Sequence, residues 1–139
     1  MTEMDELRLA LRVEMSSRMI RKENIKVFSH ISRRIAFLAK ETSSDLQRRD
    51  IDSFLQMKEE LGVLKRGLST LISERIGKLL NQARFNLLLK EREELLSGLT
   101  GIERDIFWDS KGKIEYWISV ILENYAINVL AEAGNNGLQ

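Results

Sequence analysis

The sequence predicts an all-α fold, a bundle of about four long helices plus a short one, and three observations predict it. None of the 139 residues is proline. Apolar residues recur at alternating spacings of three and four, the helical period. Two capping boxes, Ser44-Asp45-Leu46-Gln47 and Thr100-Gly101-Ile102-Glu103, mark helix starts, because the hydroxyl takes an orphan backbone N–H and the Gln or Glu reaches back.

A chain of this length supports one domain with a single core. Residues 1–125 read as a helical domain, and 126–139 as a helix end followed by a linker or tail. Hydrophobic content of 43% and charged content of 31% are ordinary for a folded helical protein. Lys and Arg number 22 against 21 Asp and Glu, a net charge of +1 that lacks the basic excess of a dedicated nucleic-acid binder. The acidic N-terminus and short apolar runs match neither a signal peptide nor a membrane span. A soluble, cytoplasmic protein is expected.

The first helix is expected over Glu3 to Met15, with Met4, Leu7, Leu11 and Met15 on one stripe. A polar connection leads to a second helix from Asn24 to Lys40, whose apolar face carries Ile25, Phe28, Ile31, Ile35, Leu38 and Ala39. The short polar loop Glu41–Ser44 predicts that the second and third helices pair as an antiparallel hairpin.

The third helix, from Ser44 to Arg84, organises the rest. Phe54, Met57, Leu61, Leu64, Leu68 and Leu71 keep the helical spacing. With their neighbours they fill a sector roughly 200° wide, where a helix resting on one partner needs only about 100°. The helix must touch neighbours on two sides. Gly62, Gly67 and Gly77 lie inside it, each costing on the order of 1 kcal/mol relative to Ala. Either packing elsewhere offsets that cost, or a neighbouring backbone comes close.

Phe85 to Ser97 reads as a short helix or a bent continuation. The last long helix starts near Gly101 and runs to about Glu132, where Ala133-Gly134-Asn135-Asn136-Gly137 should break it. Its residues Ile106, Phe107, Ile114, Trp117, Ile118, Ile121, Leu122 and Tyr125 again span roughly 200°. Apolar faces this broad predict subunit contacts. The interface is expected at Leu61, Leu64, Leu68, Leu71, Ile72, Arg75, Leu79, Phe107, Ile114, Trp117, Ile118 and Ile121.

Catalytic constellations are hard to assemble. No cysteine is present, so thiol catalysis and thiolate metal sites are excluded, and His30 is the single histidine. Ser110-Lys111-Gly112-Lys113 matches Ser-x-x-Lys without its companion motifs. Gly62 to Gly67 has the glycine spacing of a P-loop, but Leu68 stands where lysine must reach phosphate. Asp50 and Asp52 point to different sides of a helix. No catalytic residue, metal or cofactor is expected. Arg33, Arg34, Lys40, Arg48 and Arg49 gather at one end of two helices; Arg33, Arg34, Arg48 and Arg49 are candidates for contact with DNA or an acidic partner, set against a simple solvated face. Arg75 falls within an apolar sector and must find carboxylates or backbone carbonyls, or else extend its stem to water.

Two segments carry a family resemblance. Arg75-Ile76-Gly77-Lys78-Leu79-Leu80 and Leu99-Thr100-Gly101-Ile102-Glu103-Arg104-Asp105-Ile106-Phe107, in this order of helices, resemble the helical domain of GINS complex subunits, the replication factors of archaea and eukaryotes. The opening Met4-Asp5-Glu6-Leu7 resembles the branch that places its helical domain first and a small β domain last. The resemblance covers about residues 4 to 124, with glycine at 77 and 101 where the family has better helix formers, and no strand-rich stretch follows Tyr125. It implies a non-enzymatic scaffold that pairs with other GINS subunits as a homo- or hetero-tetramer. Such a scaffold bridges the MCM helicase and a RecJ-like (Cdc-type) partner and contacts primase or polymerase, in the cytoplasm of an archaeon or the nucleus of a eukaryote. Two alternatives stay open: an unrelated helical oligomeric adaptor, and a small helical enzyme using Arg75 and Arg104 to hold a carboxylate substrate.

Overall fold

The computed structural model describes residues 1–43 and 50–137. Within them the chain is all-α: α1 (Glu3–Met15), a 3-10 turn (Lys22–Asn24), α2 (Ile25–Ser43), α3 (Ile51–Ala83), α4 (Leu89–Ser97) and α5 (Gly101–Gly137). No strand occurs among the described residues.

Three of the helix starts have a local cause. Thr2 and Asp5 form a reciprocal capping box on α1, the Thr2 hydroxyl accepting from the Asp5 N–H at 3.2 Å. The Asp50 carboxylate accepts from the Asp52 N–H and caps α3, giving that carboxylate a structural task. At α5 the expected box is present: the Thr100 hydroxyl accepts from the Glu103 N–H at 3.2 Å, and Glu103 Oε1 accepts from the Thr100 N–H at 2.9 Å. The box expected at Ser44–Gln47 lies outside the described residues.

Three boundaries differ from expectation. The second helix runs through Glu41, Thr42 and Ser43, where a loop was expected. The Thr42 and Ser43 hydroxyls bond back to the carbonyls of Leu38 and Lys40, which suits a last helical turn. Helix α3 begins at Ile51, after its Asp50 cap, and not at Ser44; within 85–97 the short-helix reading holds, as the separate α4. Helix α5 continues to Gly137, so 133–137 is helical where a break was expected.

Helix α3 is the axis of two cores. Toward its N-terminal side, Leu64 and Leu71 pack with Leu7 and Ala10 of α1 and Val27, Ile31 and Leu38 of α2. At its second half, Leu79 and Ala83 pack with Leu95 of α4, Leu99, and Phe107 of α5. This two-sided use accounts for part of the broad apolar sector of α3, in which Ile51, Leu55, Ile72 and Leu80 stay exposed. Helix α1 presents Leu7, Ala10 and Glu14 inward, and Met15, expected on that stripe, is exposed. At Gly67 an added Cβ would overlap the Leu7 side chain, so α1 lies close because no side chain intervenes. Gly77 faces open space instead.

Candidate functional site: a buried ion network and an uncovered helical face

Between the two cores sits a fully buried arginine. The Arg75 guanidinium has five N–H donors, and five acceptors meet them. Nε donates to Glu103 Oε2 at 2.7 Å and Nη2 to Glu103 Oε1 at 2.8 Å, a two-pronged pair. Nη1 donates to Glu14 Oε1 at 3.0 Å and to the Arg21 carbonyl at 2.7 Å. Nη2 also donates to the Gly98 carbonyl at 3.0 Å. The Phe28 ring lies 5.4 Å from the guanidinium carbon.

Glu14 is equally occupied. Its carboxylate accepts from Asn24 Nδ2 at 3.2 Å and the Arg21 N–H at 3.1 Å, and Lys78 Nζ reaches both its carboxylate and its backbone carbonyl. Two carboxylates and two cations balance. Burial alone would raise the Glu14 pKa, but the bonds from Lys78, Asn24, the Arg21 backbone and Arg75 hold it below the usual value. For Glu103, burial is likewise outweighed by the bonds from Arg75 and Thr100, and its pKa is lowered. Burial would lower the Arg75 pKa, and its bonds to Glu103 and Glu14 raise it instead. The group is charged on both sides and ties α1, the 16–24 connection, α3, the α4–α5 turn and α5 together.

This arrangement leaves Arg75 nothing to offer a substrate. Arg104 is exposed and donates from Nε to the Leu96 carbonyl at 3.0 Å, so the two arginines share no pocket. Among the described residues, no group of three or more His, Asp or Glu is placed to hold a metal ion. No helix of the described residues is long and apolar enough to cross a membrane.

The expected interface residues divide. Leu64, Leu71, Arg75, Leu79 and Phe107 are closed inside the chain's own core. Side chains without surface cannot meet another subunit, so at these five the expectation of a subunit contact gives way to intrachain packing. Leu61, Leu68 and Ile114 are half-buried, and Ile72 is exposed. Trp117, Ile118 and Ile121 are 57, 51 and 52% exposed on α5 beyond the body of the bundle. Leu122, Tyr125, Ile127, Val129 and Leu130 are uncovered with them.

The basic cluster is only partly free. Arg34 pairs with Glu60 at 2.9 Å and lies over the Phe37 ring, while Arg33 is exposed. Arg48 and Arg49 lie outside the described residues. His30 is exposed, its Nδ1 2.9 Å from Glu6 Oε1.

Sequence reasoning names no partner for Arg75: it reads Glu103 only as a helix cap and Asn24 only as a helix start, and it does not single out Glu14. A signal existed: Glu14 falls seven residues after Leu7, on the buried stripe of α1, where a charge needs a partner. Comparison with protein-family models, curated proteins and solved structures yields no match to this chain.

Proposed function

We propose that this chain is a non-enzymatic subunit of a GINS-type DNA replication complex, scaffolding the MCM helicase and its partners. The observation that carries the assembly role is the uncovered apolar length of α5. Trp117, Ile118, Ile121, Leu122 and Tyr125 stand in solvent on a bundle that already has two cores of its own. Contiguous exposed apolar surface of this extent marks an interaction site.

The assignment to replication rests on the GINS resemblance. Its two segments, separate in sequence, meet at Arg75 and Glu103, with Lys78 and Thr100 in the same network. The residues that carry the resemblance are thus those that fix how α3 and α5 cross. In this role Trp117, Ile118 and Ile121 face other subunits, while the RecJ-like (Cdc-type) partner, primase or polymerase occupy other surfaces. Arg33 is an exposed cation on α2 for an acidic partner or DNA.

The test is mass in solution by light scattering, followed by capture on immobilised MCM helicase. The expected result is a dimer or tetramer that the helicase retains. An oligomer that ignores the helicase would favour an unrelated adaptor. A monomer that ignores it would overturn the scaffold role.

A further inference from the structure

The heptad-spaced face of α5 runs on beyond the body of the protein, apolar as far as Tyr125 and polar at Asn128 and Glu132. Phe107 is buried and Ile114 half-buried. Beyond them Ile118, Ile121, Tyr125, Asn128 and Glu132 continue on one face, at spacings of four, three, four, three and four from Ile114. That alternation is the a/d pattern of paired helices, in which a polar seam residue such as Asn128 sets register.

Charge distribution selects the occupant and its direction. After Lys113 the sequence carries Glu115, Glu123 and Glu132 and no Lys or Arg. Beside Ile114 and Trp117, a groove between α3 and α5 is lined by Arg84 and Lys113, with Leu80 and Gly77 along its α3 wall and no carboxylate in its lining. A second α5 laid parallel would set Glu132 against Glu132. Laid antiparallel, it carries each Glu132 about 27 Å along the helix, at 1.5 Å per residue, to the cationic groove of the other copy. The seam then closes in matched layers of a with d: Ile114 with Glu132, Ile118 with Asn128, Ile121 with Tyr125.

We propose that a second copy of this chain covers the distal half of α5, the two helices running antiparallel about a two-fold axis near Glu123, with Glu132 of each copy at Arg84 and Lys113 of the other. The proposal rests on the assembly-subunit reading and names the partner of that surface. A standard interface needs roughly 800 Å² a side, and aromatic side chains bury about 150–250 Å² each. Trp117 and Tyr125, with Ile118, Ile121 and Leu122, bring an area of that order. The Lys113–Asp109 pair, 2.9 Å apart with both side chains more than half exposed, is weak enough to yield its lysine. Gly77, in front of which nothing lies within 4 Å, leaves room for the incoming helix end. Its place in a helix interior, without a packing neighbour in its own chain, gains a reason.

Light scattering and sedimentation equilibrium on the full chain test this. The expected result is a dimer whose dissociation constant rises about tenfold or more with either Lys113→Glu or Glu132→Lys, since each reversal acts twice across a two-fold axis. Combining the two reversals should return it most of the way. Because the chain has no cysteine, the double variant Ile118→Cys/Asn128→Cys should form an intermolecular disulfide on oxidation, and either single variant should not. Circular dichroism confirms that each variant folds. A wild-type monomer, single reversals without effect, or a double reversal no better than the singles would each overturn the pairing. Helicase capture of the same samples separates the two readings. A monomer still captured sinks the self-pairing alone, and a dimer never captured sinks the replication role alone.

Discussion

The two halves of α5 both carry large apolar residues, in opposite situations. From Gly101 to Ile114 the helix is pinned by Thr100, by the Arg75–Glu103 pair and by Phe107 in the second core. From Glu115 to Glu132 its side chains are largely exposed, though Trp117, Ile121 and Tyr125 are large and mostly apolar. Burial here follows from what lies opposite, and hydrophobicity alone does not decide it. In the first half the neighbour is this chain's own α3; in the second half none of the described residues covers the apolar side chains. The first half therefore governs stability of the chain, and on the proposed reading the second governs what the chain joins.

The largest expected effect breaks the pinned half. Arg75→Ala leaves Glu14 and Glu103 buried without their shared cation, a defect that costs about 3–5 kcal/mol. Thermal unfolding should show a loss of that size, whereas Trp117→Ala at the free end should stay within about 0.5 kcal/mol under conditions where the chain is monomeric. Equal losses at both positions would erase the distinction between the halves.

Acid should act on the same half. Glu14 and Glu103 titrate in the folded chain below the ordinary glutamate value of about 4.3. The unfolded chain therefore binds more protons in acid, and stability rises with pH through that window. The contribution is fully present above about pH 5, and it is lost as pH falls through the lowered folded pKa values. Melting temperatures measured from pH 7 down to pH 3 should be flat and then fall. Glu103→Gln should start less stable and fall less steeply. A fall that is unchanged in that variant would place the acid sensitivity elsewhere.

The smallest effect sharpens the comparison at two glycines of one helix. Gly67→Ala pushes a methyl into Leu7, and overpacking of that kind costs about 1–3 kcal/mol, offset in part by better helix propensity. Gly77→Ala meets nothing and should gain roughly 0.5–1 kcal/mol in the monomer. Denaturant titration of the two variants should move the midpoint in opposite directions.

Much of the fold was legible because helices announce themselves locally. The Thr100–Glu103 box, the spacing of Phe54 to Leu71 and the absence of proline depend only on near neighbours in sequence. The extension of α2 to Ser43 and of α5 to Gly137 was missed because polar residues and glycine are weak evidence against a helix already under way. The candidate site was legible in part. Arg75 demanded partners from its place on an apolar face, but Glu14 lies 61 residues away, and no helical period reaches that far.

By itself the sequence determined an all-helical chain with a long central helix, two over-wide apolar faces and one arginine that had to be satisfied. Those follow from local periodicity and from the cost of burying an unpaired charge. Only the tertiary structure decided how the breadth is used. It closed Leu64, Leu71, Leu79 and Phe107 into the chain's own cores while leaving Ile72 and Leu80 exposed, gave Arg75 five intrachain acceptors, and left the apolar residues between Trp117 and Leu130 uncovered. The physical reason is that an apolar stripe specifies that something must cover it, and only the crossing of α3 and α5 fixes where the chain's own cover ends.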